Sequence, residues 1–305
     1  MSKSTSKSDK ISVSFTGHDT FPLRHGWLEK AYHAIDLKHK NPFTADDAIV
    51  QFGVGKNMVN AIKHWAVATN FIEKTEDGYA TSEYAQNLIR NDMDPYIENI
   101  GTIWKIHYEL CKKSVNTTPY WIFSYLNNPT FSRDYLELKL QEFAVENGKP
   151  EPAIKTLRTD INVALAMYCR AQSKSGFKEE DISSPLAELN LIRKSEDNRY
   201  VLNTGVKKTL PQNLFISSII DFWETQNLNN GFDSNSIRVD TLLYGPLTPG
   251  RIFVLSENEL TDRLHDLHLQ TDGALQLSET AGILQIFKNT EKYNAQKLLS
   301  NWATK

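Results

Sequence analysis

The chain reads as a mainly α protein with small β-hairpins, an α+β fold of tandem winged helix-turn-helix modules. Three observations predict it. Apolar residues recur at helical spacing over most of the 305 residues. Two pairs of such segments, each split by a Gly- or Pro-bearing turn, run into two short β-prone runs around an acidic turn: FIEKTEDGYATS and IRKSEDNRYVLN. A comparable run, ALQLSETAGILQIF, follows the last helical stretch. With 40% hydrophobic and 23% charged residues, the composition is that of a folded globular chain of two or three domains. The expected divisions are a disordered tail at 1–10, a signature strip with a first winged helix at 11–95, a helical segment with a second module at 96–205, and a third at 206–305.

After the Ser- and Lys-rich tail comes SFTGHDTFPLRHGWLEKA, Ser14 to Ala31. It reads as short strand, tight loop and then helix from about Leu23. Gly17 permits a backbone conformation closed to other residues, and Pro22 stiffens the approach to the helix. The strip gathers His18, Asp19, Arg24, His25, Trp27 and Lys30. Imidazole, carboxylate and guanidinium together can bind a phosphate, bind a divalent metal or pass a proton. Spacing alone selects none of these. An equal alternative is that Asp19 closes the loop and Arg24 pairs with an acid of its own domain.

In the first module, Thr44 is a plausible N-cap with Asp46 and Asp47 in the first turn, and a short helix runs to about Gln51. Gly53 and Gly55 mark a turn. A second helix is expected over Lys56–Ala68, with Val59, Ile62, Trp65 and Ala66 on its apolar side. The second helix of such a motif usually enters the major groove. Its polar side carries Lys56, Asn57, Asn60, Lys63 and His64, which suit phosphate and base contacts. A protein-binding or purely structural winged helix is the alternative.

IGTIWKIHYELC is a helix in which His107 fits a packed core position better than a ligand. TTPYWIFSYL is dense in aromatic residues that could stack bases but better suit a core. In the second module, helices are expected near Ser132–Glu146 and Ala153–Ala171, the latter showing Lys155, Arg158, Thr159 and Asn162. A long helix is expected over Pro211–Gln226, an apolar strand after the Pro and Gly residues of LLYGPLTPGRIF, and a helix over Leu260–Leu269. Arg251, after Gly250, is read as either a phosphate ligand or half of an ion pair.

A net charge of −3 predicts weak non-specific DNA affinity unless basic residues share one face. No apolar run is long enough to span a membrane and no signal peptide is recognisable, so a cytoplasmic protein is expected. The two cysteines, Cys111 and Cys169, lie inside helical patterns, which fits a reducing compartment and excludes a four-cysteine metal site. No phosphate loop, dinucleotide fingerprint, nucleophile elbow or zinc-protease helix is present.

The strip, read as F-x-G-H-D-x-F-x-x-R-x-G-W-L-x-K, resembles the N-terminal signature of a bacterial domain-of-unknown-function family encoded beside DNA phosphorothioation genes. That family includes SspB, the DNA-nicking subunit of a single-stranded phosphorothioation system. FGVGKNMVNAIKHWAVATNFIE, SPLAELNLI, LLYGPLTPGRIFVL and LQLSETAGILQIF resemble its later blocks in the same order, covering nearly the whole chain. The resemblance implies a metal-assisted endonuclease using Mg or Mn. It also implies action on DNA alongside a cysteine desulfurase, a PAPS-reductase-like sulfurtransferase and an ATPase; a homodimer is left open. For such chemistry the candidates are His18 and Asp19 as metal ligand or general base, Arg24 as phosphate clamp and His25 as acid. Gly17, Trp27, Lys30, Arg251 and Thr280 also fall in the matching blocks. The alternative is a non-catalytic DNA-binding scaffold, because no paired acids of a nuclease are visible.

Overall fold

The computed structural model describes residues 11–36, 41–44, 47–169, 184–300 and 302. The expected tail, and Asp46, lie outside them.

The first third contains α1 (Trp27–Asp36), α2 (Ala48–Phe52), α3 (Lys56–Ala68), the hairpin β1 (Ile72–Thr75) and β2 (Gly78–Thr81), and α4 (Glu83–Ile89). α2 starts later than expected. Thr44 closes a short 3-10 turn at Pro42–Thr44, and Asp47 takes the cap position without a side-chain bond. Gly53, in the left-handed conformation (φ 64°), ends α2 and donates its N–H to Val50. α3 occupies the expected residues and buries Val59, Ile62, Trp65 and Ala66. β1 and β2 pair antiparallel with Ile72 opposite Thr81. The strand expected at the start of the signature strip does not form: residues 11–16 have no sheet partner among the described residues. A side chain takes the ladder's place there, as the Ser14 N–H donates to Thr117 Oγ1 at 2.8 Å.

The middle third contains α5 (Ile100–Lys112), α6 (Thr117–Tyr125), β3 (Thr130–Phe131), α7 (Arg133–Glu146), α8 (Ile154–Tyr168), β4 (Ile192–Lys194) and β5 (Tyr200–Leu202). The strands form an antiparallel sheet in the order β3-β5-β4. The last residues of the helix expected to reach Ala171 lie outside the described residues. The aromatic residues of α6 are core: Tyr120, Trp121 and Phe123 are buried. His107 is fully buried in α5, donating from Nε2 to the Ile252 carbonyl (2.8 Å) and meeting Tyr168 Oη at Nδ1 (2.8 Å). It is the packed residue its position suggested.

The last third contains α9 (Gln212–Asn230), β6 (Ser236–Arg238), α10 (Val239–Tyr244), α11 (Pro249–Ile252), α12 (Glu257–His265), α13 (Leu267–Gln270), β7 (Leu275–Thr280), β8 (Ile283–Lys288) and α14 (Ala295–Ser300). The sheet order is β6-β8-β7, all antiparallel. Here the apolar strand expected after the Pro and Gly residues of LLYGPLTPGRIF does not form. Thr248 caps a short helix with Pro249 at its first position, and Gly250 seats it against α10. A Cβ at Gly250 would stand 2.6 Å from the Leu242 carbonyl oxygen, so only glycine allows that approach. One connected apolar core runs from Val13 to Leu298 through all three thirds.

Candidate functional site

The signature strip lies between α3 and α8. At its centre is a tight turn closed by the Phe21 N–H on the His18 carbonyl at 2.9 Å. Both central residues, Asp19 (φ 45°) and Thr20 (φ 70°), are left-handed. Two consecutive non-glycine residues in that region form the primed turn geometry and cost about 1–2 kcal/mol each. Surrounding contacts must hold them there.

Those contacts are specific. His18 is 4% exposed. Its Nδ1 accepts the Thr20 N–H at 3.1 Å, so the ring proton sits on Nε2 and is donated to Asp160 Oδ1 at 2.9 Å. Asp160, on α8 and 8% exposed, takes a second donor, Thr118 Oγ1, at 2.5 Å. Asp19 turns the other way, and its Oδ2 accepts Asn60 Nδ2 of α3 at 2.9 Å. Trp65 Nε1 donates to the Phe21 carbonyl at 2.9 Å, and the indole stacks on the His18 ring at 5.9 Å. His64 packs edge-on against both rings. Burial, with the neighbouring His18, pushes the His64 imidazole down to about 4. Gly17 (φ 113°) makes that packing possible, since a Cβ would lie 2.6 Å from His64 Nδ1.

A cavity of about 10 Å³, roughly the room one water needs, lies among His18, His64, Trp65, Asn116, Asp160 and Met167. Asn116 Oδ1, on its wall, is buried without a protein hydrogen-bond partner among the described residues.

The other strip residues point elsewhere. Arg24 lies over the rings of Phe21 and Trp27 at 5.8 and 5.6 Å. His25 is exposed and faces Glu188 at 3.6 Å rather than the His18 pair. Trp27 is core. Lys30 Nζ donates to the Phe52 carbonyl at 3.0 Å, closing the C-terminus of α2.

Of the expected DNA-contact residues, Lys56 and Asn57 are exposed at the first turn of α3, whose N-cap, Gly55, makes no side-chain bond. Lys63 is half-buried. Asn60 and His64 are engaged by the strip instead, because α3 turns that side toward residues 17–19. α8 opens the same way: Ala153 supplies no side-chain cap and Lys155 is exposed. Arg158 is exposed but paired with Glu137 at 2.8 Å. Arg251 forms neither the expected ion pair among the described residues nor a free phosphate site. It donates to the Ser124 and Leu126 carbonyls and to Asn127 Oδ1 at 3.2, 3.1 and 2.8 Å, closing the end of α6. Thr280 is exposed at the end of β7.

Asp160 is the residue that sequence reasoning missed. Its signal was an acid on the apolar stripe of α8, three residues after Leu157 and four before Ala164.

The strip does not assemble a cluster of metal-ligating side chains. Both His18 ring nitrogens are engaged, and no three His, Cys, Asp or Glu side chains converge as a metal site among the described residues. No described helix is long and apolar enough to cross a membrane.

A family model described as a protein of unknown function (DUF4007) matches residues 15–302. The fold is similar to two crystal structures. One is of magnesium ion-bound SspB, with 25% identity and a TM-score of 0.81, covering 97% of this chain and 91% of that one. The other is of SspB, with 26% identity and a TM-score of 0.82 over the same shares. No curated protein matches the sequence.

Proposed function

The chain belongs to the DUF4007 family and is SspB-like, and from that premise we propose that it is a DNA-contacting component of a bacterial phosphorothioation system. The carrying observation is the pair α3 and α8. Each follows a turn, precedes a small antiparallel β unit, and opens on an N-terminus with no side-chain cap and an exposed lysine. We read each unit as a winged helix. Free N–H groups at a helix start and a lysine ammonium are both phosphate ligands. Lys56, Asn57 and Lys155 are the contacts proposed, with Lys63 at the edge. The expected sulfur-transfer partners and ATPase belong to the same reading.

DNA nicking is the second reading, favoured by the likeness to SspB along 97% of the chain. The strip's chemistry gives it less support than its residue types suggested. His18 is sequestered, Asp19 is tied to Asn60, and His25 lies apart, so no cleavage step is assigned to these residues.

Supercoiled plasmid relaxation with Mg²⁺, Mn²⁺ or EDTA, beside a gel shift on linear duplex, separates the readings. The DNA-contact reading expects a salt-sensitive shift lost in Lys56→Ala/Lys155→Ala. Open circles that form with Mg²⁺ or Mn²⁺ and not with EDTA would establish the nicking reading. Absence of both shift and nicking would refute both.

A further inference from the structure

We infer that the signature strip is an internal latch, holding α3 and α8 in one fixed frame through His18–Asp160 on one side and Asp19–Asn60 on the other. Two successive residues reach opposite helices, at 2.9 Å in each case. The helices' broad packing lies elsewhere: α3 packs on α1 and α2, and α8 on α6 and α7. The strip therefore bridges two groups of helices. Its anchors on the α3 side are Asn60, His64 and Trp65, and on the other side Asp160 and Thr117.

The left-handed pair Asp19 and Thr20 makes the bridge possible, because the turn sends adjacent side chains in opposite directions. His18, Asp19, Asn60 and Asp160 are thus positioning residues. The family signature marks a structural joint whose output is the relative placement of two helix starts.

The bridge sets an upper limit on the spacing of the two lysines. Lys56 precedes Asn60 by four residues and Lys155 precedes Asp160 by five. With every link fully extended, the two lysine Cα atoms are no more than about 40 Å apart, close to one turn of B-form DNA. The latch then makes the two contacts act together on one DNA molecule. This consequence rests on the DNA-contact reading; the latch does not.

The test uses the full chain. His18→Phe keeps a ring on Trp65 but removes the donor to Asp160, and His18→Gln returns an amide donor. Hydrogen exchange is expected to speed at least tenfold in the strip and in the adjoining turns of α3 and α8 in His18→Phe, with α9 and β7–β8 unchanged and His18→Gln close to wild type. Asn60→Ala, at a half-exposed position, tests the other arm should His18→Phe fail to fold. Exchange unchanged in both His18→Phe and Asn60→Ala, or the absence of rescue by His18→Gln, overturns the latch.

For the coupling, Lys56→Ala and Lys155→Ala are combined at one salt concentration with a 30-base-pair duplex. Their effects on affinity should depart from a simple product by fivefold or more, and should multiply in the His18→Phe or Asn60→Ala background. The same departure in both backgrounds would overturn the coupling. If neither lysine affects affinity, the DNA-contact reading fails while hydrogen exchange still decides the latch.

Discussion

Replacing Gly17 by alanine places two independent penalties on one methyl group. At φ 113° the backbone lies where an L side chain is strained, which costs about 1–3 kcal/mol. The new Cβ would also stand 2.6 Å from His64 Nδ1 and 3.1 Å from its Cε1. That ring cannot swing away freely, because it packs against His18 and Trp65 at 5.8 and 4.7 Å. Overpacking of this kind costs a further ~1–3 kcal/mol, giving roughly 2–6 kcal/mol in all. Gly53 is the control. It is also left-handed, at φ 64°, but nothing lies within 4 Å of a Cβ there. Gly53→Ala should therefore cost only the backbone term, about 1–2 kcal/mol. Guanidinium unfolding followed by tryptophan fluorescence measures both. The expected result is a midpoint clearly lower for Gly17→Ala than for Gly53→Ala, with the native tryptophan emission altered only in the former. Equal losses within about 0.5 kcal/mol would refute the account of the strip's packing.

Acid should destabilise the fold through two imidazoles. His64 and His107 are each lowered by burial from 6.5 to about 4. Their folded forms stay neutral while the unfolded chain takes up protons, so the stability they contribute is complete above pH 6.5 and is lost as pH falls toward 4. Between pH 6.5 and 5 each imidazole is worth on the order of 2 kcal/mol. Unfolding midpoints against pH should show this slope, and His64→Asn should remove about half of it; an unchanged slope would contradict the assignment. Arg251→Met removes three donors from the end of α6 and should cost ~2 kcal/mol in a denaturation midpoint, because bonds from a charged donor are worth about 1.5–3 kcal/mol. A loss under about 0.5 kcal/mol would show that the guanidinium is dispensable there.

Local rules carried much of the fold. α3 lies where Gly55 and the spacing of Val59, Ile62 and Trp65 put it, and the β1–β2 hairpin turns at the acidic pair Glu76-Asp77, with Gly78 opening the return strand. The burial of α6 and of His107 followed from the apolar surroundings of those positions. What escaped depends on long-range contact. His18 finds its acid 142 positions away. Ser14 bonds to a side-chain oxygen rather than a strand. The segment after Gly250 becomes helix because α10 lies against it, a contact that apolar β-propensity does not register. The strip's polar residues were legible as unusual but not as sequestered, because residue types that bind metals and phosphates also make buried hydrogen-bonded joints.

The central claim is that the exposed first turns of α3 and α8 contact DNA. Fluorescence anisotropy of a labelled duplex across a salt series, with wild type beside Lys56→Ala/Asn57→Ala/Lys155→Ala, tests it most directly. The account predicts a log–log salt dependence for wild type and a slope shallower by about 2 in the variant, since each lost phosphate contact removes ~0.9, with an unchanged melting temperature. Equal affinity and slope in the two proteins, or no binding by wild type at low salt, would contradict it.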